Sequence, residues 1–112
     1  MDAPCQGTLL RIFIGDAARF EGRPLHEAIV LKAKERGLAG ATVLKAVMGF
    51  GKDGVLRSSK LLELAMDLPL VVEIVDDEAK IKEFLPELGK MGKLGLVTME
   101  RIEVLRYEAT GR

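Results

Sequence analysis

The sequence has 112 residues, which is enough for one domain with a core but not for two domains. Its 17 basic and 17 acidic side chains cancel, so no overall field attracts nucleic acid or an anionic membrane. One cysteine, one histidine and no long apolar run exclude a disulfide, a Cys/His zinc site within the chain and a membrane span, so we expect a cytoplasmic protein.

The first half of the sequence predicts a strand, a helix and a second strand. Thr8–Gly15 is rich in Leu, Ile and Phe, as strands are. Pro24 suits the first turn of a helix, which is predicted to reach Arg36 and to end at Gly37. Ala41–Met48 predicts the second strand. The predicted buried side of the helix carries Leu25, Ala28, Ile29 and Ala33.

Residues 49–60 follow and are too rich in glycine and charge for a regular element, so a long loop is expected. Leu61–Ala65 is ambiguous between a short helix and a returning strand. Pro69 opens the third strand, which reads PLVVEIVD and ends at Asp76.

A second helix is predicted after the third strand, with Asp76 or Asp77 able to cap its start. Pro86 is expected to kink or split this helix, because its ring removes a backbone hydrogen bond. Three glycines end the helix, and Leu96–Tyr107 predicts the last strand. The apolar stripe of the helix is formed by Ile81, Phe84, Leu85, Leu88 and Met91.

The order β-α-β, loop, β-α-β predicts an α+β fold of the ferredoxin-like βαββαβ type. In this fold both helices lie on one face of a four-stranded antiparallel sheet. The whole sequence, 1–112, is predicted to be a single domain, with residues 1–7 and 108–112 flexible at its ends.

Both faces of the predicted sheet are apolar. Side chains along a strand point alternately to the two faces of the sheet, so one set of apolar side chains is expected to face the helices. This set is Leu10, Ile12, Ile14, Leu70, Val72 and Ile74. The opposite face still carries Leu9, Phe13, Val71 and Val75. Arg11 and Glu73 lie between these side chains, and we expect them to form a cross-strand ion pair. Because such a face would be a sizeable sticky patch in solution, we predict that cyclic self-association buries it.

The glycine-rich loop has the composition of an anion site. GFGKDG at 49–54 matches G-x-G-x-x-G, but a Rossmann domain needs a following helix and a longer chain. Successive glycine N–H groups can converge on an anion, and the loop's basic residues outnumber Asp53. A solvated connection is equally consistent with this loop, and GKMGKLG at 89–95 alone favours a helix end. The basic residues are Lys52, Arg57 and Lys60 in the loop, and Lys90 and Lys93 in the later stretch.

Residues 37–54, GLAGATVLKAVMGFGKDG, resemble the PII signalling proteins at the end of their first helix, second strand and start of the long loop. LPLVVEIVDDE and GKLGLVTMERIEV are similar to later parts of those proteins. With LRIFIG, GRPLHEAIV and FLPEL, nearly the whole sequence resembles the PII-like family called domain of unknown function 190. The resemblance implies a homotrimeric regulatory protein that binds adenine nucleotides in clefts between subunits and is not an enzyme.

The resemblance also implies which residues bind the nucleotide. Carried over by position, Gly40 and Thr42 would lie against the base or ribose. The loop base would be formed by Gly49, Phe50, Gly51 and Lys52. The phosphates would be approached by Gly92, Lys93 and Arg106. The implied effector is AMP, ADP or ATP, with no required cofactor and no metal. Its binding would order residues 50–60, which then engage a protein target.

The sequence departs from PII proteins at several places. Asp53 stands where they carry a glutamine used with magnesium and 2-oxoglutarate, and the loop lacks the tyrosine that many have modified. These departures argue against 2-oxoglutarate sensing and uridylylation. A ligand-free trimeric scaffold, whose loop is only a docking element, is the alternative function. An enzyme would need groups from different subunits, and no pattern links the candidates Asp16 and His26.

Overall fold

The computed structural model describes residues 1–60 and 67–111. In chain order the regular elements are β1 (Cys5–Gly15), β2 (Arg19–Phe20), β3 (Arg23–Pro24), α1 (Leu25–Glu35), β4 (Gly40–Lys45), β5 (Met48–Gly49), β6 (Arg57–Ser58), β7 (Pro69–Asp76), α2 (Glu78–Gly89) and β8 (Val97–Val104). The ambiguous segment Leu61–Ala65 lies outside the described residues.

The four long strands form one antiparallel sheet in the order β4-β7-β1-β8. Strands joined by a helix are therefore not neighbours along the β1-α1-β4 and β7-α2-β8 units, as the ferredoxin-like arrangement requires. Both helices bury their apolar stripes against the same face of this sheet. The predicted α+β fold is confirmed.

The core lies between the helices and this face, and alternation along the strands explains its membership. The six strand side chains predicted to face the helices are all buried, and so are the four predicted on α1. On α2, Ile81, Phe84, Leu88 and the following Met91 are buried, while Leu85 is only partly buried at the core's edge. These positions were predictable because burial follows the period of 2 in strands and 3.6 in helices.

Helix α2 runs unbroken through Pro86, so of the expected kink or split the split does not occur. Proline costs this helix the hydrogen bond to the carbonyl of Lys82, but buried side chains on both sides of it hold the helix on the sheet. Asp77 is the N-terminal cap residue, yet its side chain makes no capping bond. The buried Asp76 carboxylate instead accepts the N–H groups of Ala39 and Asp77, at 3.0 and 2.6 Å.

The strand ends differ from the prediction. β1 begins at Cys5 instead of Thr8, so residues 5–7 pair with β8. β4 covers Gly40–Lys45 instead of 41–48, and β8 stops at Val104 instead of Tyr107. At the ends of β4 and β8 an apolar run continues after the backbone pairing has stopped, whereas at the start of β1 the pairing continues beyond the apolar run.

The expectation that 49–60 contains no regular element is wrong at its two ends. Gly49 belongs to β5, which pairs with β6 in a short antiparallel ladder, with Gly49 opposite Arg57. The Ser59 N–H continues this ladder by donating to the Val47 carbonyl at 2.9 Å. Among the described residues, no helix is long and apolar enough to cross a membrane.

Candidate functional site

The sheet has two ends, and the predicted site residues are divided between them. At one end, called the loop end, β1 and β4 finish at Gly15 and Lys45, and β7 and β8 begin. At the other, called the tail end, β4 begins at Gly40 and β8 finishes at Val104. The long loop leaves from the loop end, and residues 105–107 follow β8 at the tail end.

At the tail end, residues 105–107 and Met1 border a cavity of about 560 Å³ over the helix-free face. The Tyr107 hydroxyl donates a 2.6 Å hydrogen bond to the Ala39 carbonyl, which ties this segment to the start of β4. Gly40 and Thr42 line the cavity, together with Arg106, so the structure brings these three predicted residues together. Its wall combines polar groups with apolar ones from Val75, Ile102, Val104 and Leu105.

Arg106 is exposed at the border of this cavity. Its guanidinium contacts the carboxylate of Glu108 at 3.2 Å. An ion pair between two exposed side chains stabilises little. The Arg106 guanidinium can therefore exchange Glu108 for an anion that enters the cavity from solvent.

At the loop end, the predicted loop base begins at Gly49 in β5 and continues beyond it, on the β4 side of the sheet. The Gly54 N–H donates to the Gly51 carbonyl at 3.0 Å, which closes a turn over Lys52 and Asp53. Phe50 is 74% exposed, and Lys52 is also exposed. These side chains touch no core and are open to a ligand or a partner.

Gly92 and Lys93 also lie at the loop end, but next to the opposite edge strand. Gly92 follows α2 with φ +93°, a conformation that side chains other than glycine rarely adopt. The turn is then anchored to β1, because the Gly95 N–H donates to the Phe13 carbonyl at 2.9 Å. β4 and β8 are the two edges of the sheet, with two strands between them.

One chain therefore does not assemble the predicted nucleotide site. Gly40 and Lys45 are five residues apart along β4, or roughly 16 Å at the rise of a strand. The cavity with Gly40, Thr42 and Arg106 is thus separated from the loop base along the sheet. Gly92 and Lys93 are separated from that loop base across three strand-to-strand spacings, roughly 14 Å.

Arg57 was noted in the sequence only as one of the loop's cations, and the structure gives it a defined place. Its Nη2 lies 3.2 Å from Asp53 Oδ2, and its Nη1 lies 3.5 Å from the other oxygen of the same carboxylate. Its Nε lies 3.6 Å from Asp67 Oδ2, and Nη1 also donates to the Val55 carbonyl at 3.2 Å. We call Arg57, Asp53 and Asp67 the loop triad.

Asp53 is ionised within this triad. A 2.9 Å hydrogen bond from the Val55 N–H and, second, the Arg57 guanidinium hold the pKa of its carboxyl below the ordinary value. The spacing of four residues between Asp53 and Arg57 was visible in the sequence, but outside a helix that spacing does not predict a contact.

Asp67 is the fixed member of the triad. Its Oδ1 accepts the Ala17 N–H at 3.0 Å, and its carboxylate lies against Gly15 at the end of β1. A Cβ atom at Gly15 would overlap this carboxylate, so only glycine leaves room for it. The triad thus connects the long loop to the loop end of the sheet.

A second arginine between two acids lies at the centre of the helix-free face. Arg11 Nε donates to Glu73 at 2.8 Å and Nη1 to Glu100 at 2.8 Å, and the Glu73 bond is the main cause of a raised Arg11 pKa. The predicted pair of Arg11 and Glu73 is confirmed, whereas Glu100 was missed. We call these three residues the sheet triad. It is surrounded by the half-buried side chains of Leu9, Phe13, Val71 and Val75.

Asp16 and His26, the candidates for an enzymatic site, are not joined by an ion pair. Asp16 Oδ2 lies 3.5 Å from the ammonium of Lys45. His26 is half-buried on α1. Within residues 1–60 and 67–111, no cluster of three or more His, Cys, Asp or Glu side chains is arranged to hold a metal.

Comparison with known proteins identifies the family. The family model DUF190, described as "Uncharacterized ACR, COG1993", matches residues 7–104. A UPF0166 protein of Aquifex aeolicus is 50% identical over 98 residues, which are 87% of this chain and 91% of that protein. The UPF0166 protein MJ1524 of Methanocaldococcus jannaschii is 33% identical over 101 residues, 89% of this chain and 93% of that one.

Two solved structures of one PII-like protein have the same fold. CPII, a nitrogen regulatory PII-like protein from Thiomonas intermedia K12, was solved bound to ADP, AMP and bicarbonate. It superposes with a TM-score of 0.61 at 19% identity, over 91% of both chains. CPII bound to ADP and bicarbonate gives 0.60 at 18% identity, again over 91% of both chains. The chain is therefore a member of the DUF190 family with a PII-like fold.

Proposed function

We propose that this protein is a homotrimeric PII-like regulator that binds an adenine nucleotide between its subunits. The nucleotide controls residues 50–60, and these residues engage a protein target. In this proposal the protein needs no metal cofactor to bind the nucleotide, and it does not catalyse a reaction.

The division of the predicted residues between the two ends of the sheet carries this proposal. A nucleotide needs a pocket for its base together with cations for its phosphates, and the tail-end cavity has only Arg106 of the predicted cations. A neighbouring subunit that presents its loop end to this cavity supplies Lys52 or Lys93. The site is then complete only at an interface between two copies.

The helix-free face supports assembly. Its apolar side chains surround the sheet triad, and Leu44 on the edge strand β4 is 48% exposed. Burial of such a face against further copies removes it from water, and three copies close a ring without a free edge.

The long loop supports engagement of a protein. Five large apolar side chains between residues 47 and 56 are exposed, which is an unusual density for a short solvated connection. A partner protein that binds here would bury these five side chains. They are Val47, Met48, Phe50, Val55 and Leu56.

The structural neighbours guide the choice of ligand. CPII was solved with ADP, AMP and bicarbonate. By analogy of fold, adenine nucleotides are the first ligands to test here, and bicarbonate is the first anion to add to them.

Calorimetric titration with AMP, ADP and ATP, with and without Mg²⁺ and bicarbonate, tests the proposal together with light scattering. We expect a trimer that binds at least one nucleotide at micromolar concentration. Replacing both Lys52 and Lys93 by alanine should weaken binding at least about tenfold, because charge-assisted contacts to phosphate are lost. The trimer should be unchanged.

Replacing Lys34 and Lys80 by alanine removes the same charge from exposed positions on the two helices, and this variant should bind like the wild type. A monomer at micromolar concentration would contradict the assembly. A trimer that binds none of these ligands would instead favour the scaffold, whose exposed loop side chains serve docking alone.

A further inference from the structure

The contacts between the Arg57 guanidinium and its carboxylate partners are longer than usual. Each of its three nitrogens lies within 3.6 Å of an acceptor oxygen, but the contacts to carboxylates are 3.2, 3.5 and 3.6 Å long. Contacts between charged nitrogen and oxygen are ordinarily about 2.7–2.9 Å. The contacts of Arg11 in the sheet triad reach this length, at 2.8 Å each. Arg57 is therefore paired with two acids but not saturated by them.

Arg57 also lies close to the predicted loop base. It lies directly opposite Gly49 in the β5–β6 ladder, so it faces the predicted loop base from the returning side of the loop. Lys52 is then a cation on the outgoing side of this loop, and Arg57 and Lys60 are cations on its returning side. A guanidinium binds phosphate through two parallel N–H bonds, which an ammonium cannot do.

We propose that Arg57 receives a phosphate of the bound nucleotide, and that Asp53 occupies Arg57 until the phosphate displaces it. The inference rests on the proposed function and assigns a binding residue and a competitor within it. The phosphate and the Asp53 carboxylate are alternative partners of the same edge of the guanidinium, because both would take the N–H groups of Nη1 and Nη2, which now face the two Asp53 oxygens.

Displacement of Asp53 changes the loop. The same carboxylate accepts the Val55 N–H at 2.9 Å, so its departure also releases the backbone next to Val55 and Leu56. Asp67 stays in place, because the Ala17 N–H and the end of β1 hold it. Arg57 thus keeps its anchor on the sheet while the segment before it becomes free to rearrange. Ligand binding is in this way coupled to the exposed apolar side chains of the loop.

The test compares two variants in titrations with ADP and with inorganic pyrophosphate. Asp53→Asn removes the competing charge with little change in shape, so both probes should bind about tenfold more tightly. Arg57→Gln removes the receiving group, so both should bind about tenfold more weakly. Arg57→Lys keeps the charge but not the paired N–H groups, and should fall between Arg57→Gln and the wild type.

Matched controls on α2 separate these effects from overall charge. Glu83→Gln and Lys80→Gln make the same charge changes as Asp53→Asn and Arg57→Gln at exposed positions outside the site. Both should bind like the wild type. Equal shifts in a control and its matched variant would overturn the proposal in favour of a general field.

Hydrogen exchange of the free protein distinguishes a binding role from a structural one. If Arg57→Gln speeds exchange in residues 50–58 but leaves both affinities unchanged, Arg57 only holds the loop and the proposal is wrong. Wild-type binding that neither variant alters overturns this inference and leaves the proposed function intact. If neither the wild type nor Asp53→Asn binds any probe, the proposed function fails and this inference fails with it. Binding that appears only in Asp53→Asn supports the competition directly.

Discussion

The sheet triad and the loop triad have the same composition, one arginine between two acids, but they are built differently. Arg11 and its partners come from three adjacent strands, whose backbone pairing sets the positions of all three Cα atoms. Arg57 has one partner in its own loop and another before β7. Where the register is fixed, both contacts are 2.8 Å, and where it is not, they are 3.2 Å or longer.

This difference indicates separate roles. Neither arginine is deeply buried, so neither triad contributes much to the stability of one chain. The sheet triad instead fixes a rigid charge pattern on an apolar face, which suits a permanent interface. The loop triad holds a segment with contacts that a ligand can replace, which suits a regulated one.

The largest expected effect is on stability, and it compares a buried side chain next to the sheet triad with an exposed side chain in the long loop. Ile12, next to Arg11 in β1, is fully buried, and Ile12→Ala should lower the free energy of unfolding by about 2–5 kcal/mol. Val55 in the loop is 45% exposed, and Val55→Ala should cost less than about 0.5 kcal/mol. Urea denaturation followed by circular dichroism measures both. Similar losses would mean that the loop belongs to the core.

The next effect concerns assembly. Arg11→Met leaves Glu73 and Glu100 without their cation on a face that we propose is buried between subunits. The dissociation constant of the oligomer should rise about tenfold or more. Arg101→Met is the control, because Arg101 lies on β8 with its side chain on the other face of the sheet. Sedimentation at several concentrations compares the two, and an unchanged constant for Arg11→Met would place the interface elsewhere.

A smaller effect tests the anchor of the loop triad. Gly15→Ala would push the Asp67 carboxylate away from β1 and from the Ala17 N–H. Because that side chain can move aside, global stability should change by no more than about 1 kcal/mol. Hydrogen exchange in residues 50–58 should nevertheless become several-fold faster. Gly89→Ala, where a Cβ meets no atom within 4 Å, should leave loop exchange unchanged. Equal loop exchange in both variants would show that Asp67 is not the anchor.

The smallest effect is a dependence on pH. The pKa of Asp53 is held below its ordinary value of 3.8. Its contribution to loop order is therefore complete above pH 3.8 and is lost as the pH falls through the lower folded value. Exchange at the Val55 amide, corrected for its intrinsic rate, should be constant from pH 5 to 7 and should rise only below pH 3.8. A rise between pH 5 and 7 would contradict this assignment.

The fold was predictable because it depends on patterns that repeat. Alternation in β1 and β7 placed their buried side chains, and the stripe on α2 placed Phe84 and Leu88. The Arg11–Glu73 contact followed from the strand order, since the first and third predicted strands, which are β1 and β7, are neighbours in this fold. Glu100 was missed because its pairing depends on the register of β8, which no sequence spacing gives.

The candidate site was only partly predictable. Gly40, Thr42 and Arg106 came from the resemblance, and the structure adds that they share a cavity to which Tyr107 is tied. The β5–β6 ladder has two residues in each strand, too few for any periodic signal. The contact of Arg57 with Asp67 joins residues ten positions apart in the sequence, and only the three-dimensional path of the chain brings them together.

The residue before β4 has a consequence for following this protein in solution. The Ala39 N–H donates to Asp76 and its carbonyl accepts from Tyr107, so both polar groups of one peptide residue are held from opposite sides. The next amide, that of Gly40, shares its peptide bond with the carbonyl bound by Tyr107. Its nitrogen resonance should therefore serve as an intrinsic reporter of occupancy in the cavity, because any molecule that lifts Tyr107 alters the polarisation of that bond. Isotopic enrichment of the backbone nitrogen is enough to observe it, without an attached probe.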